Sequence, residues 1–171
     1  TIDGEDARDF DDAVFAEPDR DHPGGWHLYV AIADVSWYVR HDKPLDRAAY
    51  RRGTSVYFPE RAIHMFPEAL ATGLCSLRPH VDRLVQSCLM EIDRQGQVVR
   101  AEFHDGVIHS DARMTYTDVA AILEAKDPVL RERYAPLVPM FELMHACFTV
   151  LNDARRRRGS IDFDLTEAEL I

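Results

Sequence analysis

The chain opens Thr1-Ile2-Asp3-Gly4-Glu5-Asp6-Ala7-Arg8-Asp9-Phe10-Asp11-Asp12 and runs straight into Ala13-Val14-Phe15. Six acidic side chains and a single base stand in those first twelve residues. Like-charged carboxylates that converge on one cleft either share a proton or bind a cation. Hard oxygen donors around an open position suit Mg²⁺ or Mn²⁺. The apolar run that follows reads as a strand, which holds the carboxylates on a rigid element. In an extended segment Asp9 and Asp11 point to one face, and Asp12 to the other unless the chain bends there. Asp3, set apart by a glycine, comes back to the site only through a turn. Two plainer readings stand beside this one. A solvated acidic loop has the same composition. A calcium loop fits poorly, because the EF-hand order of alternating Asp or Asn, then Gly, then a distant Glu is absent.

Working outward, the chain of 171 residues is long enough for one sizeable core and reads as one domain. Its hydrophobic fraction of 46% and charged fraction of 29% are ordinary for a globular protein. No apolar stretch is long enough to span a membrane. Cys75, Cys88 and Cys147 are odd in number and widely spaced, form no CxxC pair, and read as reduced cytosolic thiols. A cytoplasmic location is therefore expected. The net charge of −10 weighs against nucleic-acid binding, since phosphate contacts normally need a basic surface. Part of that charge is the acidic cluster itself, which a divalent ion would offset.

The rest of the chain alternates elements and breakers. Asp19 to Gly25 is a turn, and Trp26 to Ala33 a strand largely buried on both sides that forms a hairpin with Ala13–Ala16. Asp34 then caps a helix or turn, or steers the carboxylates from behind. Leu45 to Arg52 reads as a helix stopped by Gly53, Thr54 to Phe58 as a short strand, and Pro67 to Leu74 as a short helix. Arg83 to Asp93 and Gln97 to Ser110 make the clearest hairpin. Thr115 caps a helix to Ala125. The longest helix spans Leu137 to Arg158, with Leu137, Met140, Phe141, Met144, Phe148 and Leu151 as a core stripe. Arg155 to Arg158 are either a solvated helix end that complements the dipole or a contact to phosphates. Ser160 to Leu165 continues as a strand.

The string IDGEDARDFDDAV resembles the catalytic signature of the RNB domain of the ribonuclease II and ribonuclease R exoribonucleases, closest to the bacterial ribonuclease R branch. VAIADVSWYV, TSVYFPERAIHMFPEAL, LCSLRP and RGSIDFDL resemble further blocks of that domain in the family's order. The resemblance runs from Thr1 to about Leu165, and the five blocks together make it specific. It implies an α+β fold of RNB type, a largely antiparallel sheet with helices packed around it. It also implies that residues 1–171 are the N-terminal portion of an RNB catalytic domain. The flanking cold-shock and S1 domains, and a later segment that supplies an Arg and a Glu, are absent from the stretch. The isolated portion is expected to be inactive.

By this resemblance Asp3, Asp9, Asp11 and Asp12 match the four signature aspartates. Asp3, Asp9 and Asp12 are expected as ligands of Mg²⁺, with Mn²⁺ as a substitute, and Asp11 as the group acting on the attacking water or a second ion. Phosphodiester hydrolysis needs such a bound hydroxide and charge neutralisation at the phosphoryl group. Tyr57 matches an aromatic that stacks on the base at the RNA 3′ end, and Phe163 its partner ring. Core packing is the plain alternative for both rings. The implied activity is magnesium-dependent removal of 5′-mononucleotides from the single-stranded 3′ end of RNA, processively, by a monomeric parent enzyme. The alternative is a non-catalytic RNA-binding or scaffolding domain that keeps the fold. His64 and Arg78 depart from the family pattern. His64 reads as an ordinary surface or half-buried histidine, and Cys75 as a small buried residue.

Overall fold

Period-two alternation on either side of a Pro-Gly-Gly breaker generates the first hairpin. In the computed structural model, which describes residues 1–58 and 61–161, a two-residue strand β1 (Ile2–Asp3) precedes β2 (Asp12–Pro18). Strand β2 pairs antiparallel with β3 (Trp26–Ala33), Asp12 opposite Ile32 and Pro18 opposite Trp26. The chain then leaves the sheet. Asp34 caps a single helical turn, α1 (Val35–Tyr38), by accepting from the Trp37 amide, which settles its reading as a cap. Helix α2 (Pro44–Arg52) begins at a proline and ends at Gly53, whose φ of 77° a side chain would resist. A small hairpin follows, β4 (Val56–Tyr57) with β5 (Ala62–Ile63), shorter than the strand expected over Thr54 to Phe58. Ala69–Leu74 is helical, as expected, but with π geometry: the Cys75 amide reaches the Leu70 carbonyl. The wider turn lets Leu70 and Cys75 both face inward, and both are buried.

The chain re-enters the sheet as β6 (Asp82–Ile92), which pairs with β3 and with β7 (Val98–His109). The four strands lie in the order β2-β3-β6-β7, all antiparallel. After β7, the two-residue strand β8 (Met114–Thr115) runs parallel to β1, Ile2 opposite Met114 and Asp3 opposite Thr115. Thr115 caps α3 (Tyr116–Ala120), which continues as a π turn over Ala121–Ala125. Asp127 caps α4 (Pro128–Arg133), and α5 (Val138–Arg157) closes the described structure.

Two clusters flank the sheet. On one face Phe10, Leu70, Cys75 and Leu77 pack on Ala31, Ala33 and Val85. The second, Met114, Ile122, Val138 and Phe141, lies where β8 and its following helix meet α5. Strand β3 is less enclosed than expected, with Ile32 48% exposed. The stripe on α5 is rotated as well: Phe148 is 57% exposed while Cys147 and Ala154 are buried. At Ala154 the approach is close. The β6–β7 turn abuts the helix so tightly that a Cβ on Gly96 would lie 2.4 Å from the Val150 carbonyl oxygen and 2.9 Å from Ala154 Cβ. Only small residues fit inward there. No strand begins at Ser160 or Ile161, and residues 162–171, with Phe163 among them, lie outside the described residues.

Candidate active site

The loop Gly4–Asp11 has no regular structure of its own, so its carbonyl and amide groups must find partners elsewhere. They find them in two places. Ser76, wholly buried, accepts from the Phe10 amide at 3.2 Å and donates to the Arg8 carbonyl at 3.1 Å. The Phe10 carbonyl takes the Leu77 amide at 2.7 Å. The block Leu74-Cys75-Ser76-Leu77 thus works as a clamp on the acidic loop, and Phe10 is the plug that enters the core beneath it.

Arg113 supplies the other hold. Its Nη2 donates to the carbonyls of Gly4 and Glu5, at 3.0 and 2.6 Å, and its guanidinium lies 5.2 Å from the centre of the Phe10 ring. A single guanidinium nitrogen thus bridges two successive carbonyls while the cation lies near the Phe10 ring. Neither Ser76 nor Arg113 stood out as a site residue in the sequence. Ser76 left a faint mark, a lone hydroxyl within an apolar run; Arg113 left none.

These holds bring the two ends of the acidic stretch together. The β1–β8 pairing puts Asp3 beside Thr115, and Asp3 Oδ1 accepts from the Gly4 amide at 2.7 Å. At the other end the Asp11 carbonyl accepts from the Ala33 amide at 2.8 Å, so Asp11 extends the β2–β3 ladder by one more bond. The Asp12 carboxyl is pushed above the usual carboxylate range, first by partial withdrawal from water, then by the charges of Asp11 and Asp3. The charges of Asp3 and Asp11 therefore both reach the Asp12 carboxyl. Asp9 is half-buried on the same loop and is not among the groups that shift Asp12.

Asp3 and Asp11 raise the Asp12 carboxyl despite the opposing charge of the Thr1 ammonium, and carboxylates brought together in this way are donors of the kind a hard divalent ion takes. The fit is incomplete on the protein side. Among the described residues no three His, Cys, Asp or Glu side chains close into a metal cage. Water and a bound phosphate are the natural source of further ligands, as is usual for Mg²⁺.

Tyr57 is placed on β4 and is 68% exposed, so core packing does not account for it. His64 is half-buried, and its Nδ1 has no hydrogen-bond partner. Burial pushes the Cys75 thiol up, as suits an inert packing residue rather than a nucleophile.

Residues 1–171 match the RNB domain family. The chain belongs to that family. Ribonuclease R of Escherichia coli (strain K12) is 55% identical over 171 residues, 100% of this chain and 21% of that protein. Ribonuclease R of Vibrio parahaemolyticus serotype O3:K6 is 54% identical over the same length, 20% of that protein. This RNB stretch thus spans about a fifth of the curated relatives it matches. Among solved structures, Mycoplasma genitalium RNase R in complex with ribose methylated single-stranded RNA matches with a TM-score of 0.87 and 29% identity, covering 100% of this chain and 26% of that one. The RNB fold expected from the opening motif is the fold found. Among the described residues no helix is long and apolar enough to cross a membrane.

Proposed function

We propose that the protein carrying this RNB stretch is a magnesium-dependent 3′-to-5′ exoribonuclease that releases 5′-mononucleotides processively. Residues 1–171 are its N-terminal part of the catalytic domain, and the cold-shock and S1 domains lie elsewhere in a monomeric, cytoplasmic parent. The observation that carries the reading is the convergence of the Asp3 and Asp11 charges on Asp12 at the start of β2. Identity of 54–55% to two ribonucleases R across all 171 residues supports it.

In this reading Asp3, Asp9 and Asp12 hold Mg²⁺, with Mn²⁺ able to replace it. The ion supplies charge neutralisation for the phosphodiester and lowers the pKa of a bound water. Asp11 orients the attacking water; its backbone, locked to Ala33, keeps the carboxylate in place. Tyr57 stacks on a terminal base, a contact that accepts any nucleotide, and Phe163 is proposed as its partner ring. The later segment of the domain completes the site, so the isolated stretch is expected to be inactive.

The decisive experiment is Asp11→Asn in the full-length protein with uniformly labelled RNA and Mg²⁺. RNA binding should persist while mononucleotide release falls by about 10²–10³-fold, the usual cost of one misplaced transition-state group. Unchanged release would remove the role given to Asp11, and products other than mononucleotides would overturn the reaction.

A further inference from the structure

The charge of the chain is unevenly spread. Residues 36–66 carry six Arg and Lys against three acidic residues, inside a chain whose net charge is −10. The same segment presents four large rings to solvent: Trp37, Tyr50, Tyr57 and Phe58. Trp37 is 55% exposed, and an indole left in water is costly unless something covers it in use. Two of the rings are paired with guanidinium groups. The Arg40 guanidinium lies 4.9 Å from the centre of the Trp37 ring, and that of Arg61 lies 6.0 Å from the centre of Phe58. Among the described residues no carboxylate pairs with Arg40, in contrast to Arg47, whose Nε and Nη2 reach Asp42 at 2.8 and 2.9 Å.

Trp37 is also fixed with respect to the acidic site. The Ala33 amide that bonds Asp11 is the last of β3, and the next amide, Asp34, bonds the Leu84 carbonyl at 2.9 Å. The Asp34 carboxylate then caps α1 through the Trp37 amide at 3.0 Å and takes the Ser36 hydroxyl at 2.6 Å. The indole therefore stands one helical turn beyond the end of the strand that positions Asp11.

We propose that Trp37 and Arg40 form a further RNA-binding station, in which the indole stacks on a base upstream of the terminal nucleotides and the guanidinium contacts a neighbouring phosphate. Rings interleaved with cations on a locally positive surface are what a single-stranded polyanion with flat bases requires. An Arg stacked on a ring still directs its outer N–H groups to solvent, where a phosphate can take them. The station rests on the reading of RNA as the substrate. It gives the negatively charged chain a local basic surface next to its acidic cluster.

The test uses the full-length protein carrying Asp11→Asn, so that RNA is bound and not consumed. A single abasic nucleotide is walked from the 3′ end along an otherwise uniform RNA, and Kd is measured at each position. Trp37→Ala should weaken binding of intact RNA by about five- to a hundred-fold. One abasic position should weaken binding to the Asp11→Asn protein and be silent once Trp37→Ala is added. That position should lie upstream of the one silenced by Tyr57→Ala. Trp37→Phe should restore most of the affinity, and Arg40→Ala should reduce the salt dependence by about 0.7 in log Kd per log salt, one phosphate contact on a single strand.

An abasic scan that Trp37→Ala leaves unchanged overturns the station. So does a fall in melting temperature with no position-specific coupling, which would mean that the ring packs against another part of the protein. Mononucleotide release by the unaltered enzyme is measured alongside. Release without coupling sinks this inference alone, whereas RNA left intact by the unaltered enzyme sinks the ribonuclease reading.

Discussion

Asp12 and Asp19 stand at opposite ends of one strand, and their chemistry diverges in a direction that burial alone does not predict. Asp12 opens β2 and is exposed; Asp19 follows its last residue and is buried. Both lose hydration, yet Asp12 is pushed up and Asp19 is held below the ordinary carboxylate range. The difference is in the donors. For Asp19, desolvation is overcome by the His22 ring at 2.9 Å and the amides of Asp21 and His22 at 2.8 and 3.1 Å. Asp12 has instead Asp11 and Asp3, whose charges together with desolvation outweigh the Thr1 ammonium and one backbone hydrogen bond. A carboxylate surrounded by donors is already satisfied and serves the fold. One set among carboxylates keeps a net repulsion, which an arriving divalent cation would relieve.

The largest effect should come from removing the charge at the unsatisfied end. Asp12→Asn in the full-length protein is expected to lower mononucleotide release by about 10²–10³-fold, while making the metal-free fold more stable at neutral pH. The sign follows from linkage. Because the folded state raises the Asp12 pKa, the folded state holds the proton longer than the unfolded chain. The stability so gained is full below the unfolded value and lost as pH rises through the folded one. Asparagine removes that loss, so its advantage in melting temperature should open as Asp12 ionises and close again at low pH. Scanning calorimetry in EDTA, then in Mg²⁺, reads both parts. A variant that melts below the parent in EDTA at neutral pH would show that Asp12 is satisfied after all.

The next effect probes what presses the carboxylates together. Arg113→Ala removes two bonds to loop carbonyls and the contact with Phe10, at a cost of about 1–3 kcal/mol for the groups left unpaired. The loop that carries Asp9 and Asp11 should loosen, and the Mg²⁺ concentration for half-maximal release should rise about 10–100-fold, the usual cost of losing an outer support. Arg113→Lys should rescue only part of it, since an ammonium can donate to the carbonyls but lacks the planar guanidinium that lies near the Phe10 ring. Magnesium titrations that superimpose for parent and variant would show that the loop holds its shape without Arg113.

Which parts were legible in the sequence follows from how local each feature is. The Asp34 and Thr115 caps, the Gly53 stop, the first hairpin and the β6–β7 hairpin are set by neighbours in the chain, and each stood where its residues indicated. Long-range partners left little trace. Nothing in Ile2-Asp3 announces a parallel pairing with Met114-Thr115, yet that pairing returns Asp3 to the site. Arg113 looked like any other arginine, because its partners are carbonyls that every residue possesses. Phe148 misled for a related reason: its spacing fits the stripe, but Cys147 and Ala154 take the buried positions and Phe148 is left largely in solvent. The acidic motif was readable as chemistry, and the hold on it was not.

The smallest effect lies at the satisfied end and tests whether that satisfaction is as complete as the contacts indicate. His22 is raised above the ordinary histidine range chiefly by its hydrogen bond to Asp19. Its contribution is therefore full below the unfolded pKa and disappears as pH climbs through the raised folded value. His22→Ala should lower the melting temperature slightly at about pH 6 and leave it unchanged at about pH 9. The drop stays small for three reasons. The amides of Asp21 and His22 still donate to Asp19. His27 Nε2 remains 3.7 Å from the same carboxylate. The His22 ring is exposed, so salt screens its charge. Mononucleotide release should not change, because the turn stands at the far end of β2 from the acidic loop. A destabilisation that persists undiminished at about pH 9 would mean that His22 packs rather than pairs, and that Asp19 owes its low pKa to the backbone alone.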